Sequence, residues 1–113
     1  MTGLLLMGPA AATSAMAAGA VVVAPDRSVV YWTVHKPSGD IAAHFAMSHC
    51  VAQFGGGCFV DKTFSYGCLG VASAPGPHWG YAVRDTPGEA RRAALDNCAQ
   101  YSGYCRVKTV TCE

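Results

Sequence analysis

The sequence predicts a disulfide-stabilised α+β domain made of two strand–strand–helix–strand units. Short runs of β-branched and aromatic residues occur in pairs around turn-forming residues, and an Ala-rich segment with helical periodicity follows each pair. Six cysteines in a chain of 113 residues indicate covalent stabilisation. We expect the strands to form a mainly antiparallel sheet with both helices on one face.

Residues 1–18 are predicted to be a signal peptide. Asp26 is the first charged residue, a short apolar core spans residues 4–7, and small-residue triplets that suit signal peptidase occur at 15–17 and 18–20. The alternative is an uncleaved membrane anchor, which the Ala and Gly content of the segment disfavours. We therefore expect a secreted protein of the extracellular space or cell envelope, with no membrane insertion after cleavage.

The domain that follows, residues 19–113, is predicted to contain two units, residues 19–67 and 68–113. In the first unit, a turn rich in Pro, Asp and Ser separates two strand-like runs. Ser38 is the expected N-cap of the helix, and the glycines at 55–57 end it. The predicted strands of this unit are 19–24, 29–35 and 59–64.

The second unit has the same predicted order of elements. Thr86, Pro87 and Glu89 form a capping-box sequence, in which Thr86 caps the N–H of Glu89 and the Glu89 carboxylate returns to the N–H of Thr86. Gly103 is the expected C-cap of the helix. The predicted strands are 69–73, 79–84 and 106–111.

Alternation along the second strand of each unit predicts which face of that strand is buried. The two strands align with each other, Trp32 with Tyr81 and Val34 with Val83. Large apolar side chains recur at every second position of both strands. The predicted core-facing residues are Val30, Trp32, Val34, Trp79, Tyr81 and Val83.

The chain resembles a family of exported bacterial proteins known as domain of unknown function 4189. Four stretches have this resemblance: Gly19–Ala24 and Gly80–Ala82 are similar to its strands, Ala94–Cys98 to the end of its helix, and Cys68–Ala72 to the start of its second unit. The resemblance implies export, paired cysteines and a domain of two units. The family has no established catalytic residues, so the resemblance implies none here.

Structural disulfides are the predicted role of the cysteines, although six cysteines allow fifteen connectivities. The two units narrow the choice, because in each a cysteine at a helix end is followed by one at the start of the next strand. We expect the pairs Cys50–Cys58, Cys98–Cys105 and Cys68–Cys112. The alternative is zinc, whose sites usually contain cysteines two to four residues apart. We predict no metal and no cofactor.

Charge and motifs argue against several classes of function. The formal net charge of +1 provides no basic face for nucleic acid. Neither a His-Glu-x-x-His nor a Gly-x-Ser-x-Gly motif occurs in the sequence. We therefore expect a protein that is not an enzyme, with a small envelope hydrolase as the alternative. The carboxylates considered for that alternative are Asp61, Asp85, Glu89, Asp96 and Glu113.

The second helix and the loop after it provide the candidate interaction surface. Tyr and Arg are enriched at binding hot spots, and the residues concerned are Arg91, Arg92, Tyr101, Tyr104 and Arg106. The alternative is that Tyr101 packs under the loop while the arginines only solvate a helix face. We predict a binding or interaction module whose partner is an envelope or host protein, or an enzyme that it inhibits.

Overall fold

A computed structural model describes residues 17–113 of the protein. This part of the chain contains β1 (Ala18–Val23), β2 (Val30–Lys36), α1 (Gly39–Phe54), β3 (Phe59–Ser65), β4 (Cys68–Ala74), β5 (His78–Arg84), α2 (Pro87–Ala99) and β6 (Arg106–Cys112). The predicted α+β class is confirmed. The predicted signal peptide lies outside the described residues except for its last two positions, and β1 already begins at Ala18.

The strands form two antiparallel three-stranded sheets, whereas we expected one sheet. The first sheet has the order β2-β1-β3, and the second has the order β5-β4-β6. The first strand of each half is therefore central in its sheet. All of β1 and nearly all of β4 is buried. A central strand that is apolar on both faces has to be covered on both sides, which explains why the chain builds two facing sheets.

The two sheets face each other, and one helix covers the outer face of each. The inter-sheet cluster contains Val21 and Leu69 together with all six predicted core-facing residues of β2 and β5, so that prediction is confirmed. On the outer faces, α1 packs against Val22 and Ala24, and α2 packs against Ala72 and Ala74. The helices thus lie on two different sheets, and our expectation that both lie on one face was wrong.

Small residues allow both helices to lie close to their sheets. Each helix buries two alanines and a cysteine at successive turns, and these residues are Ala42, Ala46 and Cys50 in α1 and Ala90, Ala94 and Cys98 in α2. In the second sheet, a Cβ atom built on Gly80 would lie 2.2 Å from the backbone N of Cys98, and one built on Gly70 would lie 2.4 Å from the carbonyl O of Ala90. Glycine is therefore required where α2 crosses β4 and β5.

The predicted N-caps are confirmed, while one predicted C-cap is wrong. Ser38 accepts from the N–H of Ile41, and Thr86 accepts from the N–H of Glu89. The Glu89 carboxylate meets the Thr86 hydroxyl rather than its backbone N–H. Gly55 caps α1 with a φ of 80°. Helix α2 instead ends at Ala99 in a right-handed turn, so Gly103 is not its cap.

All six cysteines form disulfides, with the connectivity that we predicted. Cys50–Cys58 and Cys98–Cys105 each join a helix to the segment that leads into the next strand, with Cα–Cα distances of 6.2 and 6.0 Å. Cys68–Cys112 joins two residues that are paired in the register of β4 and β6. Since no cysteine of residues 17–113 is free, the zinc alternative for these residues was wrong.

In residues 17–113 we find no helix that combines the length and the apolar character needed to cross a membrane.

Candidate functional site

A cleft of about 480 Å³ opens where the two sheets meet. Its walls contain the aromatic side chains of Trp79, Tyr81 and Tyr101 from the second half of the chain. Polar side chains from both halves complete the lining, namely Arg27, Asp61, Lys62, Asn97 and Gln100. We refer to this feature as the inter-sheet cleft.

A β-bulge directs Asp61 into the inter-sheet cleft. Val21 of β1 pairs with Lys62, whereas its neighbour Val22 pairs with Val60, so Asp61 has no partner in the strand register. The Asp61 Oδ2 atom accepts a hydrogen bond of 2.6 Å from the Tyr81 hydroxyl. Burial, and then this bond to the carboxylate, raises the pKa of Tyr81 far above its ordinary value. The carboxylate thus comes from the first sheet, and the hydroxyl of Tyr81 in the second sheet holds it in place.

Further hydrogen bonds hold the aromatic wall of the cleft, which consists of Trp79, Tyr81 and Tyr101. Asn97 of α2 donates from Nδ2 to the backbone carbonyl of Tyr81 at 2.9 Å. The Trp79 Nε1–H donates to the carbonyl of Ser28 at 2.9 Å, and its ring meets the edge of Trp32 with 6.5 Å between centroids. The Trp79 bond joins the second half of the chain to the first, whereas the Asn97 bond lies within the second half. The rings of Trp79 and Tyr81 are therefore held in place by a polar contact as well as by packing.

Tyr101 forms the outer rim of the inter-sheet cleft. Its ring is parallel to that of His78, with an interplanar angle of 5° and 6.4 Å between centroids. The residue is nevertheless 64% exposed. One side of the Tyr101 ring is therefore supported by His78, and much of the ring remains accessible to a ligand.

A second, shallower groove of about 660 Å³ lies beside β4 and β6. Tyr104, Arg106 and Lys108 line it, and Tyr104 is 79% exposed. Lys108 occupies a bulge like that of Asp61, because Val71 pairs with Thr109 while the next residue of β4 pairs with Val107. We refer to this feature as the basic groove.

The five residues of the predicted interaction surface are divided among three places. Tyr101 lines the inter-sheet cleft, and Tyr104 and Arg106 line the basic groove. Arg91 and Arg92 are exposed on α2 and line neither feature. Sequence reasoning did not find Asp61 as a cleft residue, because the bulge that aims it depends on strand register and leaves no sequence motif.

The remaining carboxylates have structural partners or lie apart from the cleft. Glu113 is half-buried with its side chain covered, and its oxygens receive the backbone N–H of His35 at 2.8 Å and meet His35 Nδ1 at 3.0 Å. Glu89 is engaged in the N-cap of α2. Asp61 is the one carboxylate that lines the inter-sheet cleft among residues 17–113. No group of three metal-ligating side chains occurs in this part of the chain.

These observations define a class of small disulfide-linked α+β domain, in which two facing sheets hold an aromatic cleft between them. The chain belongs to the family described as Domain of unknown function (DUF4189), whose model matches residues 18–112. The resemblance noted in the sequence is thereby confirmed. No curated protein and no solved structure matches the chain.

Proposed function

We propose that the protein is an exported binding module that contacts a protein partner through the basic groove. The observation that supports this proposal best is the exposure of Tyr104 beside Arg106. Tyr and Arg dominate binding hot spots, since they combine a large apolar area with directional hydrogen bonding. Export agrees with three disulfides, which persist in oxidising compartments.

The loop that presents Tyr104 is held in place by local bonds. The Cys98–Cys105 disulfide closes it, and the Tyr104 N–H donates to the Ser102 hydroxyl at 3.2 Å. A loop ordered before binding loses less conformational entropy on association. With Arg106 and Lys108 on one side of the groove, the partner surface is expected to carry acidic side chains.

A small hydrolase is less well supported than a binding module. Hydrolysis of the glycosidic type uses two carboxyl groups that converge on one bond. Asp61 is the single carboxylate of the described cleft lining, and one of its oxygens already accepts from Tyr81. The basic groove is lined by no carboxylate among residues 17–113.

Affinity capture with matched variants tests the proposal. The oxidised protein is immobilised and exposed to envelope and host extracts, in parallel with Tyr104→Ala, Arg106→Ala and the control Arg91→Ala. We expect a partner that binds the parent and the control, and that binds each groove variant at least about tenfold more weakly. Equal binding of all four proteins would contradict the proposal. Export is tested separately, by mass spectrometry of the N-terminus of the protein recovered outside the cell.

A further inference from the structure

We propose that the inter-sheet cleft binds a neutral saccharide. This inference goes beyond the proposed protein-binding function and uses a different surface, because Tyr104 and Arg106 line the basic groove and not the cleft. A volume of about 480 Å³ lies within the range of small-molecule sites. The ligand class follows from the aromatic faces, the polar atoms and the charges of the lining.

The aromatic lining suits the apolar face of a sugar ring. A pyranose presents weakly polarised C–H bonds on one side, and these interact favourably with the electron-rich face of an aromatic ring. Tyr101 offers such a face, supported from behind by its parallel contact with His78. Trp79 offers a second aromatic surface, which its bond to Ser28 holds in place. These two aromatic surfaces are therefore ordered before a ligand binds, which lowers the entropy cost of binding.

The polar lining suits hydroxyl groups, each of which both donates and accepts hydrogen bonds. Tyr81 occupies only Oδ2 of Asp61, and Asn97 uses only Nδ2 for its bond to the Tyr81 carbonyl. Within residues 17–113, Asp61 Oδ1 and Asn97 Oδ1 have no hydrogen-bond partner and can accept from a ligand. Gln100 and Lys62 add donors to the lining. The cleft therefore presents hydrogen-bond acceptors, on Asp61 and Asn97, next to donors, on Gln100 and Lys62. A polyol requires both kinds of group.

The charges of the lining favour a neutral ligand. Arg27 and Lys62 oppose a cationic ligand, while Asp61 opposes an anionic one. The Arg27 guanidinium lies over the Phe59 ring, 5.2 Å from its centroid, and is thus partly engaged by the protein itself. A neutral polyol can accept from the cations and donate to Asp61 at the same time.

The test uses defined oligosaccharides and four proteins. The oxidised protein is screened on an array of neutral and acidic glycans. Each glycan that binds is then titrated in solution against the parent, Tyr101→Ala, Asp61→Asn and the control Tyr104→Ala, with intrinsic tryptophan fluorescence, to which the cleft residue Trp79 contributes, as the reporter. Tyr101 and Tyr104 are both exposed and lie in the same loop, so their variants form a matched pair.

We expect a neutral oligosaccharide, such as a chito-oligosaccharide, to bind the parent and to change its fluorescence. Tyr101→Ala should weaken binding at least about tenfold, Asp61→Asn should weaken it about fivefold, and Tyr104→Ala should have no effect. Thermal unfolding of each variant verifies that it is folded.

Three results would overturn this inference: no neutral glycan bound at about 10 mM, binding that is unchanged in both cleft variants, or binding of acidic glycans alone. Because the protein partner is expected to be lost in Tyr104→Ala and kept in Tyr101→Ala, failure of the saccharide site and failure of the protein-binding proposal are distinguishable.

Discussion

The two halves of the domain share a framework and differ in what the framework carries. In each half, the central strand is buried and a helix places two alanines and a cysteine against it. A short disulfide joins that helix to the segment that leads into the third strand. Each third strand also has one bulge at the corresponding place in its register. The shared features are those that build and close a helix-covered sheet. The halves differ in two ways. The second half has additional stabilising features, and each half supplies a different charged residue to the inter-sheet cleft or the basic groove.

The second half contains stabilising features that the first half lacks. Cys68 and Cys112 pair across the sheet at a position where the first half has Ala18 opposite Ser65. Strands β4 and β5 also pair without irregularity, whereas the register of β1 and β2 shifts before Lys36. We infer that the second half is the more resistant of the two to local unfolding.

The bulges show how the two halves diverge in chemistry without a change of fold. The bulge residue is Asp61 in the first half and Lys108 in the second. Because a bulge residue has no partner in the strand register, its side chain can change charge at little cost to the sheet. One bulge thus supplies an acceptor to the inter-sheet cleft, and the other supplies a cation to the basic groove.

Removal of single disulfides should produce the largest difference between the halves. Replacing Cys68 and Cys112 by alanine opens a loop with a sequence separation of 44, and the loop-entropy relation assigns about 4 kcal/mol to that closure. Replacing Cys50 and Cys58 opens one with a separation of 8, worth about 2.5 kcal/mol. Urea unfolding of both double variants measures the difference. Equal losses of unfolding free energy would show that the long disulfide does not distinguish the second half.

The close approach of α2 to its sheet should make Gly80 the most sensitive glycine of the second half. The three atoms nearest to a Cβ at this position are all backbone atoms of α2, so the added methyl group cannot be accommodated without moving the helix. We expect Gly80→Ala to lower the free energy of unfolding by about 3 kcal/mol. Gly88→Ala is the control, since nothing lies within 4 Å of its added methyl group, and its effect should stay below about 1 kcal/mol. Similar effects of the two substitutions would contradict this packing argument.

Local signals in the sequence predicted the elements, the N-caps and the disulfides. Ser38 and Thr86 were predictable because capping depends on residues three apart, and the helix-to-strand cysteine pairs follow from the same short range. The division into two sheets was not predicted, because it depends on which faces of the strands are covered by other parts of the chain. The sequence did contain one indication of it, since the fully apolar run Val21–Val23 is typical of a strand buried on both sides. The cleft depends on the bulge at Asp61, and hence on a register that no local pattern specifies.

The bond between Asp61 and Tyr81 should contribute a small stabilising coupling between the two sheets. The carboxylate is exposed, so Tyr81→Phe leaves it hydrated and should cost only about 1 kcal/mol of unfolding free energy. In a double-mutant cycle with Asp61→Ala, the second substitution should add little once the first is made. Lys108→Ala at the other bulge is the matched control, and we expect it to combine additively with Tyr81→Phe. Strict additivity of the Asp61 and Tyr81 substitutions would show that the bond does not couple the sheets.

The smallest expected effect is a dependence of stability on alkaline pH that arises from the same pair. The folded protein holds the Tyr81 proton more tightly than the unfolded chain does, because burial and Asp61 both raise the pKa of Tyr81 above its ordinary value of 10.0. The stability that this group contributes is therefore fully present below pH 10.0 and is lost as the pH rises through the higher pKa of the folded state. We expect unfolding free energies, measured between neutral pH and pH values above 10.0, to fall more steeply for the parent than for Tyr81→Phe. Asp61→Asn retains the phenol and removes the charge, so it should give an intermediate slope. Identical slopes for the parent and Tyr81→Phe would mean that the Tyr81 proton is held no more tightly in the folded protein than in the unfolded chain.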